Sequence, residues 1–342
     1  MKLSIVDLSP VPPGGTRHQA ILNTIELARH AERLGYQRIW YAEHHGGRAM
    51  AGRAPEVLIP MVAASTSHIR LGSGAVLLNH YSPYKVAETF SSLNEMFPGR
   101  IDMGIGRATT GPVTDMALQR DRTVRLGTDD SDQQLLELMA WLENRFPDDH
   151  PFATVPIAND GSLPEMWLLG SSSWSASAAS QFGLRYAFAG FINQAGTAKI
   201  LDLYRRNFEP SAGPLGVSKP QMMLSVHVAC GATEDEARRL IAPAHIMYRR
   251  LAQRDLGLLP TPDEAVRELG ALPRIDLESL PGQPPRFIAG TPEQVREKIE
   301  KLAGELGVQE IMIQDIITDH QARLRSYELL ADVFAIAPAA GI

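Results

Sequence analysis

The sequence alternates short apolar runs with segments of helical periodicity, and this alternation continues along nearly all of its 342 residues. Eight runs have the length and character of buried strands, and apolar residues at helical spacing follow each of them. Buried strands joined by helical crossovers form parallel sheets. Eight such units predict an α/β chain that forms a single (β/α)8 TIM barrel over residues 1–342. The predicted strands are 3–8, 38–45, 70–78, 100–108, 165–171, 186–191, 222–230 and 310–316.

Two long segments interrupt the alternation. Residues 108–163 follow the fourth predicted strand and contain one clear helix, 131–146, whereas residues 253–286 separate the seventh strand from the eighth and are rich in Pro, Leu and Gly. Long barrel loops often wall or cover the substrate pocket, which we expect of the irregular segments 108–130 and 253–286. The capping-box pattern from Thr291 to Gln294 predicts a further helix before the last strand. An open doubly wound sheet is the competing fold, but no G-x-G-x-x-G motif follows the first strand.

Charge and composition exclude several classes of protein. The formal net charge is −6 and no run of Lys or Arg occurs, so we expect no binding to nucleic acid. No apolar run has the length that crosses a bilayer, and the N-terminus lacks the pattern of a signal peptide. The expectation is a soluble, cytoplasmic protein without a membrane partner. The single cysteine, Cys230, excludes an intrachain disulfide and a Cys-rich zinc site.

The C-terminal ends of the predicted strands hold the candidate functional residues, because barrel enzymes have their active sites there. The fifth strand ends in a Gly/Ser-rich turn, from Gly170 to Ser175, that opens a helix. Such a turn presents backbone N–H groups, hydroxyls and the positive end of a helix dipole to an anion. Arg107 follows the adjacent strand, and a guanidinium beside a helix N-terminus suits a phosphate. The structural alternative is a set of serines that only cap the helix and an Arg107 in an ordinary ion pair.

The second predicted strand ends in Glu43, His44 and His45. Adjacent strand residues point to opposite faces, so two neighbouring imidazoles do not readily bind one metal ion. No H-E-x-x-H or paired-carboxylate pattern completes a metal site, and we predict none. One histidine facing the barrel mouth can act as an acid, a base or a hydrogen-bond donor. A packed histidine with satisfied hydrogen bonds is the alternative, and at this point the sequence leaves both open.

Glycines inside the third and fourth predicted strands indicate a close approach to the backbone. Gly72, Gly74 and Gly106 lie near the same end of neighbouring strands. Glycine weakens a strand and usually marks contact with a ligand or with another backbone. Three glycines at one end favour a flat ligand that lies over them, and tight packing within the barrel is the alternative.

Several stretches resemble the bacterial luciferase-like, flavin-dependent monooxygenases of the group 1 type. The resemblance is carried by WYAEHH (40–45), APEVLIPMVAASTSHIRLGSGAVLL (54–78), SPYKVAETFSSLNEMFPGRIDMGIGRA (82–108) and LGSSSWSASAASQFGLRYAFAGF (169–191). It implies a (β/α)8 barrel that uses FMN as FMNH2. It also implies a two-component monooxygenase that inserts one oxygen atom from O2 into a small organic molecule through a flavin C4a-hydroperoxide.

The same resemblance implies the partners of the protein. A separate NAD(P)H:flavin reductase supplies FMNH2, since no nicotinamide-binding motif is visible in the chain. Relatives of this type tend to form homodimers through helices near the start of the barrel. Hydroxylation or epoxidation of a polyketide-like secondary metabolite is the implied reaction. Hydride transfer with the deazaflavin F420, light emission and a non-catalytic flavin-binding role are the alternatives.

The resemblance also assigns roles to individual residues. It implies a catalytic role for His44, supported by Glu43 and His45, and a non-prolyl cis peptide at Gly74–Ala75 beneath the flavin ring. Gly106 stands where the light-emitting members have a cysteine, which argues against light emission. The flavin phosphate would lie on Ser171, Ser172 and Ser175, opposite Arg107. The implied cofactor-binding residues are Gly74, Ala75, Gly106, Arg107, Gly170, Ser171, Ser172, Trp174 and Ser175.

Overall fold

Eight parallel strands pair side by side and close into a barrel, which confirms the predicted (β/α)8 architecture. The pairing runs β1–β2–β3–β5–β6–β7–β8–β10 and returns from β10 to β1. The computed structural model describes residues 1–119, 129–159, 161–253, 255, 257–275 and 280–338. The strands are β1 Lys2–Asp7, β2 Arg38–Tyr41, β3 Arg70–Ser73, β4 Val76–Leu77, β5 Ile101–Gly106, β6 Glu165–Gly170, β7 Arg185–Ala189, β8 Met222–Cys230, β9 Phe287–Gly290 and β10 Glu310–Gln314.

The helices lie in the positions that the helical periodicity predicts, and the structure adds short ones within the insertions. The capping box at Thr291 and Gln294 is present as predicted. Short 3-10 helices span Leu78–His80 and Pro151–Thr154. The α-helices are α1 Arg17–Leu34, α2 Pro55–Ala63, α3 Pro83–Met96, α4 Pro112–Leu118, α5 Ser131–Glu143, α6 Ser173–Gln181, α7 Thr197–Arg206, α8 Glu234–Ala252, α9 Pro262–Leu269, α10 Pro292–Leu306 and α11 His320–Phe334. Among the described residues, no helix combines the length and apolar character that a membrane crossing requires.

Three details differ from the predicted elements. The third predicted strand, 70–78, is divided into β3 and β4, because the chain turns at the residues between them. The insertion 253–286 was predicted to be irregular, but it contains α9, and β9 follows it and pairs with β8. The residues 120–128 and 276–279 of the two insertions lie outside the described residues, so the prediction that the insertions wall the substrate pocket is not tested there.

Side-chain alternation along the strands separates the barrel interior from the outer core. Trp40, Trp167 and Met223 belong to one cluster of buried residues inside the barrel. Their strand neighbours, such as Ile39 and Leu168, pack outward against the helices in a second cluster. Leu240, Ile241 and Ala244 of α8 join the interior cluster. The helix α8 therefore covers the C-terminal end of the barrel instead of packing in the outer ring.

An ion-pair network fills the N-terminal end of the barrel. The guanidinium of Arg38 contacts Asp102 at 2.6 Å and Glu310 at 2.8 Å, and all three side chains are buried. Arg70 also pairs with Asp102, and Glu165 approaches the guanidinium groups of this network. Burial alone lowers the pKa of Arg38, but the carboxylates of Asp102 and Glu310 outweigh it and raise that pKa. The network closes this end of the barrel and leaves the opposite end for a ligand.

Removal of Arg38 tests how much this network contributes to the stability of the fold. In Arg38→Met, the carboxylates of Asp102 and Glu310 lose a buried partner, so we expect a loss of about 3–5 kcal/mol in the free energy of unfolding. Urea titration followed by circular dichroism measures this loss. Arg296→Met removes an exposed helical pair with Glu300 and should change stability by no more than about 0.5 kcal/mol. Equal losses in the two variants would show that the network is not structurally important.

Candidate active site

The cis peptide bond between Gly74 and Ala75 is present, as the resemblance implied, and it shapes the mouth of the barrel. Ala75 lies so close to Gly106 on β5 that a Cβ atom at Gly106 would sit 2.9 Å from the Ala75 Cβ. A larger residue at position 106 would therefore displace Ala75. Glycine is needed at position 72 for a different reason, because a Cβ atom there would collide with the side chains of Asp102 and Trp40. Tight packing explains Gly72, while Gly74, Ala75 and Gly106 form a small-residue surface at the mouth.

Glu43 ties the end of β2 to the segment that follows the cis peptide. Its buried carboxylate accepts hydrogen bonds from the backbone N–H of Leu77 at 3.0 Å and from the hydroxyl of Tyr81 at 2.8 Å. The Nε2 atom of His45 lies 2.6 Å from the same carboxylate. His45 also approaches the ring of His80 edge-on. Glu43 and His45 thus have structural partners of their own.

His44 follows Trp40 and Ala42 in the alternation that faces the barrel interior. Its backbone N–H donates to the carbonyl of Gly52, which fixes this loop at the mouth. Water reaches the exposed side of the His44 ring, but protein atoms crowd the other sides and make protonation costly. Desolvation lowers the pKa of His44 to about 4, with a smaller effect from His45. The imidazole is therefore neutral at pH 7 and has a nitrogen that can accept a proton.

The turn after β6 has the conformation of a helix cap. Ser172 is the N-cap of α6 and its hydroxyl accepts from the N–H of Ser175. Ser171 and Ser172 reach solvent, and the carbonyl of Ser171 accepts from the side chain of Asn193. Ser175 is buried, and its hydroxyl lies 2.9 Å from the carbonyl of Ser172 and 3.0 Å from the Tyr186 hydroxyl. Ser175 therefore braces the turn, and Ser171, Ser172 and the first N–H groups of α6 are the groups that face outward.

A side chain at position 170 would collide with this brace. A Cβ atom at Gly170 would lie 2.4 Å from the Ser175 hydroxyl oxygen. Glycine is therefore required at the end of β6 by the packing of Ser175. Gly170 supports the turn by its small size.

Arg107 lies at the same rim and already has an anion beside it. Its guanidinium stacks over the ring of Trp174, with 4.3 Å from Cζ to the ring centroid. It also pairs with the carboxylate of Asp129, just before α5. The indole N–H of Trp174 donates to Asp132 at 2.9 Å. The ordinary ion pair that the sequence left open is thus present, and it shows that the position next to Arg107 accepts an anionic group.

The residues at this end of the barrel fit a flavin nucleotide on two observations. The anion position at Arg107 lies beside the N-terminus of α6, where a phosphate finds unpaired N–H groups. The side-chain oxygen of Asn79, just after β4, is buried and has no hydrogen-bond partner among the described residues. It is an acceptor free for a ring N–H group. Within the described part of the chain, no cluster of three His, Cys, Asp or Glu side chains is placed to hold a metal ion.

Sequence reasoning missed the part that α5 plays in this site. The helix itself was predicted, but the contacts from Asp129 to Arg107 and from Asp132 to Trp174 join segments distant in the sequence. The only signal was the acidic run Asp129–Asp132 before a clear helix. The ring of His227 on β8 is fully buried.

A (β/α)8 barrel that collects these side chains at the C-terminal ends of its strands has the architecture of a barrel enzyme. Comparison with known proteins identifies the enzyme family. The model of the luciferase-like monooxygenase family matches residues 1–310. The chain belongs to this family, and the protein is accordingly a monooxygenase, an enzyme of the oxidoreductase class.

Individual relatives are similar along the whole chain. The protein YwcH of Bacillus subtilis (strain 168) is 40% identical over 339 residues, with 98% of this chain and 99% of that protein covered. The N-acetyl-S-alkylcysteine monooxygenase of the same organism is 35% identical over 339 residues, with 97% and 98% covered. The crystal structure of apo-MsnO8 is 42% identical, with a TM-score of 0.88 and 99% of both chains covered.

More distant structures share the fold and differ in cofactor. The oxygenating constituent of 3,6-diketocamphane monooxygenase from Pseudomonas putida was solved in complex with FMN, and it is 20% identical with a TM-score of 0.71 over 100% of this chain and 99% of that one. An F420-dependent secondary alcohol dehydrogenase is 13% identical with a TM-score of 0.63 over 97% and 98%. Flavin-type cofactors thus occur in proteins of this fold, and these two likenesses leave the choice between FMN and F420 open.

The protonation of His44 can be followed directly. Since its pKa is lowered to about 4, we expect the Hε1 resonance of His44 to keep its neutral position from pH 8 down to about pH 5.5 and to move only as the pH approaches 4. Titration by proton NMR measures this, and the signal lost in His44→Gln identifies the residue. A midpoint near the ordinary histidine value would contradict the desolvated environment.

Proposed function

We propose that the protein is an FMNH2-dependent monooxygenase of the two-component type. The observation that carries the proposal is the grouping of three features at one rim. These features are the stacked Arg107 beside the α6 N-terminus, the Ala75–Gly106 surface and the neutral His44. The first suits a phosphate, the second suits a flat ring, and the third suits a proton transfer.

Each residue has a task in this reaction. Arg107, Ser171, Ser172 and the first N–H groups of α6 would hold the phosphate, with Trp174 keeping the guanidinium in place. Gly74, Ala75 and Gly106 would support the ring face. Bound FMNH2 supplies the two electrons that reduce O2, so that one oxygen atom enters the substrate and the other leaves as water.

His44 transfers the protons that the water and the oxygenated product require. Its neutral imidazole accepts a proton at the free ring nitrogen and returns it as the reaction proceeds. Glu43 holds His45 and the segment after β4 in place, so that the loop carrying His44 keeps its position. Leu240 and Ala244 of α8 pack over the barrel interior, which limits the access of water to reactive species there.

The chain offers no nicotinamide motif, so we propose that a separate NAD(P)H:flavin reductase supplies FMNH2 and that both act in the cytoplasm. The proposed substrate is a small organic molecule, of the type of a polyketide-like secondary metabolite. Similarity to an N-acetyl-S-alkylcysteine monooxygenase adds small thioether acids to the classes to be tested. Gly106 in place of a cysteine argues against light emission.

A homodimer is also proposed, as the resemblance implied. Val57 and Met61 on α2 and Met96 on α3 are large apolar side chains that remain exposed, at 64%, 37% and 56%. Contact between two copies through α2 and α3 would bury them. A molar mass of a single chain by light scattering would contradict this proposal.

Reoxidation of FMNH2 in the presence of the protein tests the proposed function. We mix anaerobic protein and FMNH2 with oxygenated buffer and follow the flavin absorbance. We expect a transient spectrum that differs from both reduced and oxidised FMN. In His44→Asn the transient should form or decay with rate constants changed by about 100-fold, because general acid–base groups typically contribute that much. A substitution at an exposed histidine on the opposite end of the barrel, His68→Asn, is the matched control.

The result that contradicts the proposal is equally clear. If wild-type protein gives only the time course of free FMNH2, the protein is not an FMN-dependent oxygenase. Reduction of a carbonyl compound by reduced F420 without O2 would then assign the protein to the hydride-transfer alternative. If the transient forms normally in His44→Asn and in His68→Asn alike, the monooxygenase stands but His44 has no proton-transfer role.

A further inference from the structure

A second group of side chains gathers at the barrel mouth, on the wall formed by β8, β10 and the covering helix α8. His227 on β8 points into the barrel, as its alternation with Met223 shows. Its Nε2 atom lies 2.8 Å from the hydroxyl of Tyr248 near the end of α8. The pair joins the barrel wall to the helix that covers it. None of the proposed flavin contacts includes these residues.

Aromatic rings surround this pair. The ring centroid of His227 is 5.0 Å from that of Phe191 and 5.5 Å from that of Phe287, which begins β9. Burial lowers the pKa of His227 to about 3, so it is a neutral partner for Tyr248. The wall is therefore apolar and rigid, and it can hold the hydrocarbon or aromatic body of a small molecule.

One cation lies at the edge of this wall. The guanidinium of Arg286 lies over the Tyr248 ring, with 4.7 Å from Cζ to the centroid, and the Arg286 side chain is exposed. Among the described residues it makes no ion pair, whereas the nearby Arg249 and Arg250 both pair with Glu268. Arg286 is held in place by stacking and by its interaction with the Tyr248 hydroxyl, and the exposed part of its guanidinium can pair with an anion.

A buried polar atom without a partner points to the same ligand. Gln314 on β10 is opposite His227 in the strand register and faces inward. It is only 6% exposed, and its side-chain oxygen has no hydrogen-bond partner among the described residues. Such an atom costs free energy unless a ligand or water satisfies it. Gln314 thus marks the inner end of the wall, as Arg286 marks its outer edge.

From these contacts we propose that Arg286, with Tyr248 and Gln314, selects an organic carboxylate as the oxygenated substrate. The carboxylate pairs with Arg286 at the rim, and the apolar body packs along Phe191 and Phe287 toward the inner end. A hydrogen-bond donor on the body meets the oxygen of Gln314. The proposal rests on the proposed function for the reaction that the bound acid undergoes, but binding itself requires no flavin.

Calorimetric titration of the flavin-free protein tests the proposal with two probes of equal shape. The probes are 3-phenylpropanoate and the uncharged 3-phenylpropanamide. We expect wild-type protein to bind the acid at least about tenfold more tightly than the amide, which corresponds to about 1.4 kcal/mol, the lower range for a hydrogen bond to a charged group. In Arg286→Gln the two probes should bind equally. Arg286→Lys, which keeps the charge, should retain part of the preference.

Arg249→Gln is the matched control, because Arg249 is a neighbouring exposed arginine paired with Glu268. It should preserve the full preference for the acid. Equal binding of acid and amide by wild type, a preference that survives in Arg286→Gln, or binding of neither probe overturns the proposal. The protein could instead bind the acid preferentially but reoxidise FMNH2 only at the rate of free flavin in the oxygen experiment. The carboxylate subsite would then stand and the monooxygenase reaction would be rejected.

Discussion

The rest of the structure depends on the ion-pair network that closes the N-terminal end of the barrel. Arg38 joins Asp102 on β5 to Glu310 on β10, strands on opposite sides of β2. Charges inside a barrel are tolerable only when each has a partner. Since this end is filled by paired charges and by Trp40 and Trp167 above them, a ligand can enter only from the other end. The direction of the strands thus decides where function lies.

From the N-terminal end of the barrel toward its mouth, the side chains become smaller and fewer of their polar groups are paired. A Cβ atom at Gly74 would crowd Trp40 and Val6, and one at Gly106 would crowd Ala75, so these strand ends hold only small residues. The side-chain oxygens of Asn79 and Gln314, which have no hydrogen-bond partner among the described residues, lie at the same end. A ligand or a water molecule at the mouth would satisfy these two buried oxygens. We therefore propose two anion positions at the mouth, on separate walls, at Arg107 and at Arg286.

Much of this could be predicted from the sequence, because strands and helices are local. Alternating apolar runs gave all eight barrel strands, and the Gly/Ser turn gave the cap of α6 with its N-terminal N–H groups. What could not be predicted rests on contacts between distant segments. Helix α8 looked like an ordinary outer helix, but Leu240 and Ala244 pack over the barrel interior. The hydroxyl of Ser175 is engaged by Tyr186, and Arg107 meets Asp129; neither contact has a signal in local spacing.

Recognition of a flavin phosphate by Arg107 is the central claim, and its most direct test is an anaerobic titration with reduced FMN and reduced riboflavin. The two differ only in the phosphate. Wild-type protein is predicted to bind reduced FMN at least about tenfold more tightly than reduced riboflavin, and Arg107→Gln to lose that difference while binding riboflavin as before. If Arg107→Gln weakens both flavins equally, or if wild type does not distinguish them, the phosphate does not lie at Arg107 and the account of the site is wrong.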